Sequence, residues 1–276
     1  MNIMSDNKEK DSRKRQKMAK TTPPVSTPLE IAPSADDEKA AKKEQRGQQK
    51  IIVLLDKARM ETVKTKKGNF ELMNCDDHRD ICKRNKKDHS QYRPDIIHQE
   101  LLALMDSPLN KAGRLKVYIR TENNVLIDVD PSVRVPRTFK RFCGLMVQLL
   151  HKMKIKASTG GVTLLRVVKN PFSQYLPAGV RAYGLSAAGK VYSPAAVARS
   201  LVPSAAAAAG SEEDGGGEDA SPPDVCFVIG AMASGSINKE DHPFIEEMIG
   251  ISEYSLSGAS AINRLLGSIE AQWGIV

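Results

Sequence analysis

Arg134, Arg137, Lys140 and Arg141 crowd into the stretch VRVPRTFKRFCGLMVQLL at 133–150, with no acid among them. From Phe139 onward, Phe142, Leu145, Met146, Leu149 and Leu150 recur at helical spacing, which predicts a helix starting near Thr138, a residue suited to an N-cap. Cations at a helix start oppose the macrodipole, because that end already carries partial positive charge and free N–H groups. A phosphate would justify them: the helix start offers donors, Arg137 and Arg141 share a face, and Arg134 arrives from the preceding loop. A solvated face whose arginine stems cover the core edge is the plain alternative. RPD at 93–95 repeats the theme at a second helix start. Asp95 suits that terminus and can hold the Arg93 guanidinium in one rotamer, which prepares it to clamp a phosphate or read a base. Taken alone, it reads as an ordinary N-terminal acid with an exposed local ion pair worth about 1 kcal/mol or less.

Other candidate chemistry is thinner. GAMASGSI at 230–237 has the glycine spacing of a phosphate loop, but Ser236 stands where lysine is needed, and the stretch is not GxGxxG. That argues against a nucleotide triphosphatase or a dinucleotide-dependent dehydrogenase. NCDDHRD at 74–80 lacks a second histidine or cysteine at ligand spacing, so it reads as a loop at a strand end, and no metal is expected. His78, His98 and His151 are expected to pack or to make hydrogen bonds. Cys75, Cys82, Cys143 and Cys226 form no CxxC pair, consistent with a reducing compartment.

The elements that must position these groups come from composition and periodicity. The chain has 276 residues, 41% hydrophobic and 27% charged, with formal net charge +8, a balance that favours a polyanionic partner. Residues 1–49 are rich in Pro, Ser, Lys and Glu and are expected to form a disordered basic extension, with RKRQK at 13–17 as an import signal, an RNA tether or a plain solvated tail. Residues 50–276 are expected to form one domain, interrupted at 203–224 by a flexible insertion rich in Ala, Gly and acids. No apolar run approaches the roughly 20 residues of a membrane span, and the N-terminus lacks a secretory core, so a soluble protein is expected.

Within the domain, IIVLL at 51–55 predicts a buried strand. A helix follows Pro94, with Ile97, Leu101, Leu104 and Met105 on one face and its end at Ser107-Pro108. RLKVYIRTENNVLIDVD at 114–130 predicts a β-hairpin turning at Asn123 and Asn124. Segments 164–169, 181–186 and 225–232 predict strands, and Ile262, Leu265, Leu266, Ile269 and Trp273 line a final amphipathic helix. The fold class is therefore α/β with a β-hairpin addition. In that last helix, Ile262, Leu266 and Trp273 are a candidate dimer stripe, or simply core.

NCDDH at 74–78, RPDIIHQELLALMDSPLNKAG at 93–113, PRTFKRFCGLMVQLLHKM at 136–153, VVKNP at 167–171, FVIGAMASG at 227–235 and ISEYSLSGAS at 251–260 occur in this order. Together they resemble the nucleolar essential protein family of small-subunit ribosomal RNA pseudouridine N1-methyltransferases, of the SPOUT or α/β-knot superfamily. The resemblance spans 51–276 apart from the acidic insertion and its flanks. It implies a trefoil-knotted α/β domain, a homodimer, S-adenosylmethionine as methyl donor, a pseudouridine in small-subunit rRNA as target, and work in the nucleus and nucleolus among pre-ribosomal assembly proteins.

By position, the resemblance puts RNA contacts on Arg93, Arg134, Arg137 and Arg141, with Asp95 orienting Arg93. It puts cofactor contacts on Leu185, Gly230, Gly235, Ser236, Ile237, Ile251, Ser252, Glu253, Tyr254, Ser255 and Leu256. On this implication Gly230 and Gly235 let backbone approach the adenosine, and Leu185, Ile251 and Leu256 supply apolar walls. Ser255 stands where the family usually has proline, and Ser236 where lysine commonly follows the glycine. An rRNA-binding assembly factor whose essential role is not catalytic is therefore the alternative. No residue is assigned as general base.

Overall fold

A computed structural model describes residues 48–66, 68–158, 160–202 and 222–276. The basic extension, apart from residues 48 and 49, and the insertion at 203–221 lie outside the described residues. The strands are β1 (Ile51–Ala58), β2 (Thr62–Lys64), β3 (Phe70–Leu72), β4 (Leu115–Thr121), β5 (Leu126–Val129), β6 (Lys154–Lys156), β7 (Thr163–Val168), β8 (Arg181–Val191), β9 (Val225–Gly230) and β10 (Glu247–Gly250). The helices are α1 (Arg79–Arg84), α2 (Pro94–Met105), α3 (Pro108–Lys111), α4 (Phe139–Lys152), α5 (Pro194–Leu201) and α6 (Gly258–Trp273).

Among the described residues one sheet runs in the order β10-β8-β9-β1-β4-β5-β7-β6, while β2 and β3 pair as a separate ribbon. Strands β10 through β4 are parallel, and β5, β7 and β6 continue the sheet antiparallel. Parallel strands are covered on both faces, which is why IIVLL is a continuous apolar run rather than an alternating one. Ile51, Val53 and Leu55 join the core under the helices, whereas Ile52 and Leu54 join a second core with Tyr118, Phe172, Cys226, Val228 and Ile245. The expected hairpin is β4–β5, with Val117 opposite Val129 and Ile119 opposite Ile127; Asn124 takes the left-handed conformation its turn needs, at φ 59°.

Helix α2 buries Ile97, Leu101, Leu104 and Met105, and α4 buries Phe142, Met146 and Leu149. Thr138 does precede the first residue of α4, but its side chain makes no capping hydrogen bond. In the last helix Ile262 and Leu266 lie in the core, while Trp273 is half-buried and packs beneath the Arg114 guanidinium, 3.7 Å from the ring centroid. Two boundaries also move. Gln49 is buried and donates to the Leu201 and Pro223 carbonyls, and the Lys50 amide donates to Asp224 at 2.7 Å. The folded unit therefore takes in Gln49 from the expected tail and Pro223–Asp224 from the expected insertion.

Candidate functional site

Strands β9 and β10 end, and β8 is interrupted, around a cleft of about 570 Å³. Open parallel sheets place ligand crevices at the carboxyl ends of their strands, where helices and loops diverge. The first wall comes from an excursion inside β8. Gly184 pairs with Met248 and Lys190 with the next residue, Ile249, so residues 185–189 leave the ladder, and Leu185, Ser186, Ala187 and Ala188 line the cleft. Only a residue without a Cβ fits the return: at Gly189 an added Cβ would stand 2.6–2.8 Å from the Met248 carbonyl and the Ile249 backbone. The strand expected at 181–186 is thus regular through Gly184, and Leu185 already belongs to the wall.

The second wall follows β9. Gly230, Met232, Ala233, Gly235, Ser236 and Ile237 line it, and Gly235 takes φ +104°, a conformation side-chain-bearing residues rarely adopt. Beneath it, Asp56 at the end of β1 is fully buried and ties three segments together. Its carboxylate receives Arg120 through two bonds of 2.6 and 3.0 Å and pairs with His242 Nε2 at 2.8 Å, while its backbone carbonyl accepts from Ala231. Burial pushes the Asp56 carboxyl up, but the bonds from His242 and Arg120 outweigh it and hold it below the usual range. This buttress was not read from the sequence.

The third wall is the segment after β10. Ile251, Ser252, Tyr254 and Leu256 line the cleft; Glu253 and Ser255, expected with them, are exposed and do not.

Helix α2 closes the cleft with Arg93, Asp95, Ile96, Gln99 and Glu100. Arg93 is held as the sequence suggested, with Nε and a terminal nitrogen donating to the two Asp95 oxygens at 2.8 and 2.6 Å. Gln91 donates to Ser234 Oγ at 2.8 Å, which fastens the approach to this helix onto the loop after β9. Arg134, Arg137 and Arg141 are exposed and stand off the cleft wall. Arg137 pairs with Asp106 at 3.1 Å, at the end of α2 opposite Arg93. The two arginine-bearing helix starts therefore lie apart, because the start of α4 packs along α2 rather than at its N-terminus: the Pro136 carbonyl accepts from His98 Nε2 at 2.7 Å.

Glu100 was missed. It is fully buried, neither carboxyl oxygen has a hydrogen-bond partner, and burial pushes its pKa up to about 8. The available signal was an acid three residues after Ile97 and one before Leu101, on the apolar face of the helix. The histidines behave as expected: His98 stacks on Phe142, His151 meets the edge of Phe70, and His78 Nδ1 accepts from the Asn74 amide. NCDDH forms a loop beyond β3 in which Asn74 Oδ1 accepts from the Asp76 and Asp77 amides. Among the described residues no helix is long and apolar enough to cross a membrane.

The cleft is built from the excursion in β8, the segments after β9 and β10, and one helix start. A Homo sapiens protein, "Ribosomal RNA small subunit methyltransferase NEP1", is 46% identical over 230 residues, covering 83% of this chain and 84% of that protein. Its Drosophila melanogaster namesake is 43% identical over 229 residues, with 83% and 84% covered. The solved structure of Archaeoglobus fulgidus Nep1 bound to S-adenosylhomocysteine matches with a TM-score of 0.54 at 22% identity, over 82% of this chain and 98% of that one, a likeness of fold. The model of the EMG1/NEP1 methyltransferase family matches residues 53–270, so the cleft and the helix that closes it both lie within the matched span, and the chain belongs to that family.

Proposed function

We propose that the chain transfers a methyl group from S-adenosylmethionine to N1 of a pseudouridine in small-subunit ribosomal RNA. The observation that carries this reading is the meeting of a fixed guanidinium, Arg93 on Asp95, with a glycine-containing cleft in one wall system. About 570 Å³ lies within the range of about 300–1,000 Å³ usual for small-molecule sites, and Leu185, Ile237, Ile251 and Leu256 give it apolar sides. The relatives' names, which specify small-subunit ribosomal RNA, support the substrate class. When bound, the cofactor supplies an already activated methyl group. The chain's part is to hold it, to grip the RNA so that an unstacked base reaches the cleft, and to keep water out. Pseudouridine is carbon-linked to its ribose and so keeps a free N1–H, whereas N1 of uridine is spent on the glycosidic bond.

Two measurements test this. Calorimetric titration with S-adenosylmethionine should show saturable binding, and labelled methyl groups should pass to an rRNA hairpin containing pseudouridine but not to its uridine counterpart. Equal labelling of both hairpins would sink the N1 assignment. The same reading makes the chain a homodimer working beside pre-ribosomal assembly proteins in the nucleolus, which sedimentation and imaging of a tagged copy would test. Ser236, on the cleft wall in place of lysine, supports a second reading, a non-catalytic assembly factor. In that case a variant unable to bind the cofactor would still support small-subunit maturation, while an Arg93 variant would not.

A further inference from the structure

Position 100 lies on the apolar side of α2, between Ile97, Leu101 and Leu104, where burial favours a hydrocarbon. Glutamate stands there instead. Helix α6 makes room for it: its first residue is Gly258, where a Cβ would collide with the Glu100 carboxyl. Among the described residues Glu100 is the buried acid with neither oxygen hydrogen-bonded; the residue belongs to the cleft lining, with both carboxyl oxygens shielded from solvent. A buried polar group without a partner costs the full loss of its hydration, so nothing in the chain's own packing explains it.

The charged groups around it are engaged elsewhere. On the same helix Arg93 pairs with Asp95, and His98 meets the Pro136 carbonyl. On α6, Arg264 is exposed and Glu270 accepts from the Leu109 amide; on α3, Lys111 donates to Met105. On β1, Asp56 is paired with Arg120 and His242, and Lys57 with Asp241. On α4, Lys140 and Arg141 are exposed, and Tyr254, across the cleft, is 78% exposed. Burial alone raises the carboxyl, to about 8, so in the empty cleft near pH 7 it is mainly the neutral acid. At that pH an arriving cation would ionise it.

We propose that Glu100 is a charge-matching residue of the donor cleft, neutral when the cleft is empty or holds the uncharged thioether product and ionised against the sulfonium of the methyl donor. This rests on the function proposed above. The balance is simple: the carboxylic acid and the cationic donor give a carboxylate–sulfonium pair, and one proton leaves to solvent. Product binding releases none through this group. The residue thereby favours donor over spent product, two molecules that otherwise differ by one methyl group.

Calorimetry of S-adenosylmethionine and S-adenosylhomocysteine at pH 6, 7 and 8, in buffers of different ionisation heat, tests it. Their shared ammonium and carboxylate cancel in the ratio of affinities. For the wild type, the preference for the donor should rise about tenfold from pH 6 to pH 7 and level off above pH 8, with close to one more proton released for donor than for product at pH 7. Glu100→Gln should flatten the ratio and abolish the extra proton. A pH-independent ratio in the wild type, or an unchanged slope in Glu100→Gln, overturns the proposal. Should that variant fail to fold, the wild-type proton count decides by itself. If the wild type binds neither ligand, the donor site itself is refuted; if it binds both with equal proton release, Glu100 alone is.

Discussion

Arg93 and Glu100 are two turns apart on one helix and show what burial does to a charge. The Arg93–Asp95 pair is partly exposed, with side chains 43% and 32% accessible, so it adds little to stability, about 1 kcal/mol or less. Its value is geometric, because two parallel bonds fix the plane of the guanidinium before a phosphate or base arrives. Asp95→Asn should therefore weaken binding of the pseudouridine hairpin several-fold while leaving the melting temperature within about 1–2 °C, the shift a few tenths of a kcal/mol produce in a domain this size. A matching loss of melting temperature would make the pair structural instead. Glu100 behaves in the opposite way. Its folded-state pKa, about 8, lies above the ordinary 4.5, so its contribution to stability is fully present below pH 4.5 and is lost as the pH rises to about 8. Glu100→Gln, which cannot ionise, should then gain on the wild type by about 2–5 kcal/mol in unfolding experiments at pH 8, and by much less at pH 5. An equal difference at both pH values would mean that the carboxyl is ionised, or hydrated, in the folded chain.

Among the elements, the cleft depends on a strand that stops being one. Residues 185–189 leave β8, and Gly189 brings the backbone back against β10 with no room for a methyl group. Gly189→Ala has backbone atoms as its obstacle, so β8 and β10 must separate; the expected cost is about 1–3 kcal/mol, with a larger proportional loss of cofactor affinity because Leu185 and Ser186 move. Denaturant unfolding together with cofactor titration would check it, and an unperturbed midpoint would remove the crossing from the account. This element also marks the limit of what periodicity reveals. Strand β1, helix α2, the β4–β5 hairpin, helix α4 and helix α6 were legible because each has a complete pattern of its own: a continuous run, a helical stripe or an alternation around Asn124. Strand β10, of four residues, and the ribbon of TVK with FEL have no such pattern and form because neighbours pair with them. The excursion in β8 is set by β10, which lies some sixty residues later, so nothing local announces it. The same holds for the site. Leu185, Gly230 and Gly235 came from family resemblance, Glu253 and Ser255 lie outside the cleft lining in a bent segment with no pattern to announce it, and the joining of Asp56 to Arg120 and His242 across three segments has no local trace.

For the molecule as a whole, α2 works as a ruler between two kinds of contact. Its 12 residues span about 18 Å, with the cleft and Arg93 at one end and the Asp106–Arg137 pair at the other. A length of single-stranded RNA can cover that distance with several phosphates, and a chain of net charge +8 attracts it before any specific contact forms. Arg137 is 81% exposed and its pair with Asp106 is a weak surface contact, so a phosphate displaces Asp106 at little cost. Arg134 and Arg141 are also exposed and away from the cleft. If all three meet phosphates, replacing them together by alanine should lower the slope of log affinity against log salt by about 2, at about 0.7 per phosphate contact for a single strand. The cleft lies elsewhere, so S-adenosylmethionine affinity and melting temperature should be unchanged in the same variant. A salt slope equal to that of the wild type would mean that the cluster is a solvated face, and that Arg93 holds the RNA without it.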